Sequence, residues 1–228
     1  MTLVKTCGKL YWAGEYAILE PGQLALIKAI PIYMTAEITA SDDYRLYSDM
    51  FTYSVDMRPD SSYALIQETV ALVEEYLTVQ GVKLQPFSLD IRGKMEREGK
   101  KFGLGSSGSV VVLVIKAMLA FYERLADREL LFKLASAVLL KRGDNGSMGD
   151  IACIVSEDLV LYQSFDREKV AHWLEKEDLQ PVLERDWGFS IESVEPGLEF
   201  DFLVGWTKEV AVSSHMVKQI KNHMDASF

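Results

Sequence analysis

The chain has 228 residues, 49% of them hydrophobic and 25% charged, with 24 Lys and Arg against 34 Asp and Glu for a formal charge of −10. At roughly 150 residues per domain this is about one and a half domains, enough to bury a core without disulfides, and the composition excludes collagen-like, coiled-coil and wholly disordered chains. A net anion gains little from a phosphate backbone, so nucleic acid and anionic membranes are excluded as broad partners. Cys7 and Cys153 are too far apart in sequence for a disulfide framework or metal-ligand spacing and suit a reducing compartment. No signal-peptide stretch opens the chain. The longest apolar region, residues 110–122, is broken by Lys116 and too short to cross a bilayer. The expectation is a soluble, cytoplasmic protein.

Residues 2–7 and 30–40 are predicted strands, the second alternating Ile32, Met34 and Ala36 against Tyr33, Thr35 and Glu37. Residues 44–48 and 51–55 are predicted to form a hairpin. Residues 62–80 switch to helical spacing, with Leu65, Ile66, Thr69, Val70, Val73 and Leu77 on one stripe, Ser61 or Ser62 as cap and Gly81 as stop. A strand is expected at 87–92, a charged loop at 93–101 and a buried helix over 110–122 that starts inside a glycine-serine segment. Asp127 caps a predicted helix to Lys141, closed by Gly143. A small-residue loop at 143–150, a strand at 159–163 and a helix capped by Asp166 follow. Residues 175–195 are hard to assign, 198–206 read as a strand, and 213–225 as a helix with Met216, Val217, Ile220 and Met224 on one side. Strands and helices mix without regular βαβ alternation, which favours an α+β fold.

The segment Lys101-Phe102-Gly103-Leu104-Gly105-Ser106-Ser107-Gly108-Ser109 fits G-x-G-x-x-G literally. A dinucleotide fold needs a buried strand directly before it, and the charged residues 94–101 make a poor one. A Walker loop needs Gly-Lys-Ser/Thr, whereas Gly108 is followed by Ser109 and Val110. The physical content survives both exclusions. Small residues admit a ligand close to the backbone, the following helix offers free N–H groups, the serines add hydroxyls, and Lys100 and Lys101 add charge. These features suit a triphosphate, although a plain helix start with a flexible entry loop has the same local sequence.

Three more segments accompany this loop: Lys9-Leu10-Tyr11-Trp12-Ala13-Gly14-Glu15-Tyr16 after the first strand, Gly146-Ser147-Met148-Gly149-Asp150, and Gly205-Trp206-Thr207 through Ser213-Ser214. In this order they resemble the GHMP kinases, over the whole chain, and most closely the branch acting on 5-phosphomevalonate. The resemblance implies the family's N-terminal ATP-binding domain (ribosomal protein S5 domain 2-like) over residues 1–180. It also implies the first part of a ferredoxin-like C-terminal domain over 181–228, since nothing after Ser213 resembles the family's third glycine-rich motif. The implied reaction moves the γ-phosphoryl group of ATP to 5-phosphomevalonate, giving 5-diphosphomevalonate for isoprenoid synthesis. The alternatives are a fragment that binds ligand without turnover, or a relative with a hydroxyl acceptor such as mevalonate.

By the same resemblance, Lys9 and Asp150 are catalytic. Lys101, Gly103, Leu104, Gly105, Ser106, Ser107, Gly108 and Ser109 hold ATP. Lys9, Tyr16, Ser147 and Ser213 contact substrate, and Ser107 ligates Mg²⁺. Mevalonate kinases carry an acidic Mg²⁺ ligand where this chain has residues 137–141 without an acid, so a second ligand would come from elsewhere. On local grounds alone, Lys9 also reads as a surface lysine, Asp150 and Ser213 as helix caps, and Trp12 and Tyr16 as packing residues. The stripe of the last helix would leave a face free for self-association.

Overall fold

A computed structural model describes residues 1–97, 100–198 and 201–208. The elements in order are β1 (Thr2–Ala13), a 3₁₀ turn (Ala17–Leu19), β2 (Leu24–Ala40), β3 (Arg45–Ser48), β4 (Ser54–Val55) and α1 (Ala64–Val79). Then come β5 (Phe87–Arg92), β6 (Glu96–Arg97), β7 (Lys100–Lys101), α2 (Ser106–Phe121), α3 (Arg128–Lys141) and α4 (Gly149–Ser156). The last are β8 (Leu159–Gln163), α5 (Arg167–Lys176), α6 (Leu179–Glu184) and β9 (Ser190–Ser193). The α+β expectation holds.

β2 is the spine of the sheet. β1 runs antiparallel along it from Thr2↔Ile38 to Ala13↔Leu26, with register shifts between Cys7 and Gly8 and between Tyr11 and Ala13. β5 pairs with the second half of β2 and β8 with its first half, both antiparallel. β3 pairs with β4 as the expected hairpin and lies parallel to β5, the crossover being α1. A long strand with one open edge invites foreign pairing, and α2 covers the edge of β1. Lys116 Nζ donates to the Lys5 carbonyl (3.0 Å), Ser109 Oγ to the Cys7 carbonyl (3.3 Å), and the Lys9 amide to the Leu104 carbonyl (2.9 Å).

α2 is buried nearly all round: Val111 through Ile115 are 0% exposed. A helix hydrophobic on every side belongs in a core, and here burial offsets the poor helix propensity of its β-branched run. α3 and α5 start where predicted. Asp127 Oδ1 accepts from the Leu130 amide (2.8 Å) and Asp166 Oδ1 from the Lys169 amide (2.9 Å).

Several expectations are corrected. α1 is capped by neither Ser61 nor Ser62. Its N-cap is Tyr63, and Asp60 Oδ1 receives the Ser62 and Tyr63 amides at 2.9 and 3.2 Å. The charged loop at 93–101 contains the small β6–β7 hairpin. The end of the 143–150 loop is the first turn of α4. Residues 201–207 form no strand. Phe202 lies against Trp12 (ring centroids 4.9 Å) and Trp206 against Phe102 (5.0 Å). The predicted helix at 213–225, with Ser213, lies outside the described residues.

The boundary expected between 180 and 181 falls inside α6. β9 then extends the main sheet by pairing with β8, and Val182, Leu183 and Trp187 share its core. Lys133, almost fully buried on α3, donates to the Leu183 and Arg185 carbonyls at 3.0 and 2.8 Å, which fastens the end of α6 to the helical layer.

Candidate active site

The glycine-serine segment wraps from the β6–β7 hairpin into α2. Gly103 (φ +77°) and Gly105 (φ +78°) take left-handed conformations that any other residue would adopt at a cost. Ser106 opens the helix, so the amides of Ser106, Ser107 and Gly108 have no partner one turn back. This is a site for an anion. Ser106 is half-buried and Ser107 exposed at the mouth.

Two glycines bring the expected catalytic pair onto this helix start. A Cβ on Gly105 would sit 2.8 Å from Lys9 Cε, so the lysine stem crosses directly over it. A Cβ on Gly108 would sit 2.7 Å from Asp150 Oδ2, so the carboxylate rests on the first turn of α2. Gly8 allows the approach from beneath, with its would-be Cβ 3.1 Å from Leu104 Cβ. A cation and a carboxylate thus flank one set of free backbone donors.

Burial raises the Asp150 carboxyl above its ordinary range; the Lys9 charge and the Ile151 amide, which donates at 2.9 Å, pull it down only in part. The folded chain therefore holds the Asp150 proton more tightly than the unfolded chain does. Stability falls as pH rises through the folded value, and the cost is complete above it. Asp150→Asn is expected to melt above the wild type at pH 7, with the gap closing below about pH 4, near the unfolded carboxyl value. Thermal denaturation at several pH values checks this, and an Asn variant less stable at pH 7 would contradict it.

The other expected residues divide. Lys101 lies on β7 opposite Glu96. Tyr16 is half-buried, just ahead of the 3₁₀ turn. Ser109 was expected at the phosphates, but its side chain faces the core: it is 0% exposed, with Oγ 2.7 Å from Thr6 Oγ1. Its place on α2, one position inside the free turn, makes it a strut between β1 and α2. The Ser147 hydroxyl is likewise engaged internally, accepting the Gly149 amide (3.2 Å) and lying 2.9 Å from the Tyr11 hydroxyl. Ser147 is 7% exposed, so its main contribution is to the shape of the turn before Asp150.

Tyr11 carries no expectation from the sequence, yet it sits among these groups. Lys9 Nζ lies 4.9 Å from its ring centroid. Burial, with the Asp150 charge, pushes its phenol well up, so the hydroxyl stays protonated. Two-residue strand spacing from Lys9 was the available signal. Among the described residues no three His, Cys, Asp or Glu side chains converge on a metal position.

The family model for the N-terminal domain of GHMP kinases matches residues 64–158. A phosphomevalonate kinase of Streptomyces sp. (strain CL190) is 28% identical over an alignment 236 positions long, gaps included, that covers 93% of this chain and 63% of that protein. The solved structure of Streptococcus pneumoniae phosphomevalonate kinase in complex with phosphomevalonate and AMPPNP is 76% identical. It superposes with a TM-score of 0.96 over 97% of this chain and 68% of its own. A Listeria innocua protein superposes at 0.92 with 31% identity, over 98% of this chain and 65% of its own. The chain therefore spans about two thirds of the length of each of these proteins.

Proposed function

The chain belongs to the GHMP kinase family, and from that premise we propose that it transfers the γ-phosphoryl group of ATP to 5-phosphomevalonate, giving 5-diphosphomevalonate and ADP. The observation that carries the reading is the placement of Lys9 and Asp150 on either side of the free amides of α2, against Gly105 and Gly108. The 76% identical relative that holds phosphomevalonate and AMPPNP supports the choice of substrates.

Phosphoryl transfer requires alignment and neutralised charge more than covalent help. The acceptor is itself a phosphate with a second pKa of about 6, so at neutral pH it is mostly a nucleophilic dianion. A strong base is then less necessary than a cation between two polyanions. Lys9 supplies that cation. Asp150 orients Lys9 or takes a residual proton. The amides of residues 106–108 hold the triphosphate, with Lys101 at the entrance and Leu104 and Ser109 bracing the loop. Tyr16 and Ser213 serve the acceptor, and Ser147 serves it through the shape of its turn.

The exposed hydroxyl of Ser107 at the helix mouth suits a cation carried by nucleotide phosphates. Mg²⁺ would be held there by Ser107, water and ATP, and when bound it lowers the charge on the transferring group. We place the end of the ATP-binding unit after β9, the last strand of the main sheet, rather than at residue 180.

ADP release by this chain with MgATP and 5-phosphomevalonate tests the reading. Turnover that depends on phosphomevalonate is expected. Saturable binding without turnover would make the chain a ligand-binding unit, and preference for mevalonate would replace the phosphate acceptor by a hydroxyl.

A further inference from the structure

Lys9 and Asp150 carry opposite charges and attract each other, yet among the described residues no ion pair joins them. A flexible ammonium beside a half-buried carboxylate would be expected to close that gap. The side chain that reaches both sides of that gap is Tyr11. Its ring takes the Lys9 ammonium at 4.9 Å from the centroid, a contact that holds a cation without neutralising it. Its hydroxyl, at the other end, meets Ser147 Oγ at 2.9 Å.

Ser147 begins the turn that delivers Asp150. Its hydroxyl receives the Gly149 amide and its carbonyl receives the Tyr162 hydroxyl at 2.9 Å. Between them Met148 is held at φ +63°, a left-handed conformation a side chain rarely takes and one that needs such bracing. A Cβ on Gly149 would lie 2.4 Å from the Tyr11 hydroxyl, so the glycine leaves the space the phenol fills. A single side chain thus touches the cation at one end and the turn carrying the carboxylate at the other.

We propose that Tyr11 is a positioning residue that keeps Lys9 and Asp150 apart across the start of α2, leaving the ammonium free for phosphate. The inference rests on the kinase reading above. Two variants separate the two ends of the side chain. Tyr11→Phe keeps the ring and drops the hydroxyl; Tyr11→Leu removes both. If the Leu variant lowers the melting temperature, Tyr11→Met, closer in volume, replaces it.

The first measurement is competitive amine labelling of Lys9, followed by peptide mass spectrometry on the full chain without substrate. A lysine that collapses onto Asp150 labels more slowly. Labelling should fall about threefold or more in Tyr11→Leu, consistent with loss of a cation–π contact. It should stay at the wild-type rate in Tyr11→Phe and recover in Tyr11→Leu combined with Asp150→Asn. The second measurement is steady-state kinetics. The expected result is a kcat about fivefold lower in Tyr11→Phe and tenfold or more lower in Tyr11→Leu, as for a misaligned site, with KM for ATP unchanged.

A purely structural tyrosine would move melting temperature but neither Lys9 labelling nor the split between kcat and KM. Labelling in the Leu variant at or above the wild-type rate would overturn the proposal, as would a Phe variant with wild-type kcat. A wild-type chain inert towards phosphomevalonate would instead overturn the kinase reading, and the labelling would still decide whether Tyr11 holds Lys9 off Asp150.

Discussion

Lys9→Ala is expected to lower transfer to 5-phosphomevalonate by about 10²–10³-fold, the usual cost of removing one preorganised charge stabiliser, while the chain stays folded. Folding should survive because the hydrogen bond that ties Lys9 to the glycine loop is made by its backbone, the amide donating to the Leu104 carbonyl at 2.9 Å, and alanine keeps that amide while losing the packing of the stem over Gly105. The chemical loss should be large because donor and acceptor are both polyanions, and the start of α2 itself offers dipoles rather than charge. Asp150→Ala is expected to cost no more than Lys9→Ala. Its carboxylate is useful only in company with the lysine; alone among phosphates it adds repulsion. Lys9→Arg should restore little, since a planar guanidinium would not sit as the ammonium does. Steady-state kinetics on the three variants would settle the order. Near wild-type turnover in Lys9→Ala would show that charge neutralisation is not what this site provides.

The elements legible in the sequence are those whose signals are local. Asp127 and Asp166 cap their helices by side-chain hydrogen bonds that need no tertiary partner, and residues 87–92 alternate as a half-buried strand must. Long-range packing decided the rest. α4 is eight residues long and follows a glycine-rich turn, so its period is too short to read. β9 exists because β8 offers it an edge. At the site, Lys9, Asp150 and the glycines carried recognisable chemistry in a recognisable order.

What the sequence left open is the direction in which each serine points. Ser106, Ser107 and Ser109 read alike, but the phase of α2 sends the last into the core beside Thr6. Tyr11 offered only the weak signal of sharing a strand face with Lys9. An aromatic residue on a strand reads as packing, and only the contacts at both of its ends distinguish it.

Gly14→Ala is expected to destabilise the chain by about 3–5 kcal/mol, a large share of the 5–15 kcal/mol of an ordinary domain. In the sequence Gly14 reads as part of the Gly-Glu-Tyr segment that points to a kinase. In the structure its first duty is steric. It follows the last residue of β1 at φ +81°, and its carbonyl receives the Ile18 amide at 2.9 Å, which ties the end of β1 to the 3₁₀ turn. A Cβ there would lie 2.3 Å from the Leu24 carbonyl oxygen and 2.9 Å from Ala25 Cα. Both are backbone atoms at the start of β2, where Leu24 and Ala25 pair with Gln163 and Tyr162 of β8. No rotamer change relieves the overlap; β2 or the turn must move. Gly81→Ala is the control: φ is similar, +73°, but no atom lies within 4 Å of its would-be Cβ, so it should cost only the roughly 1–2 kcal/mol of a left-handed alanine. At about 2–4 °C per kcal/mol for a chain of this size, Gly14→Ala should melt about 10 °C below the wild type and clearly below Gly81→Ala. Equal melting temperatures for the two variants would mean that the turn after β1 yields easily. Lys9, only five residues upstream, would then owe its position to the glycine loop and Tyr11 rather than to the strand that carries it.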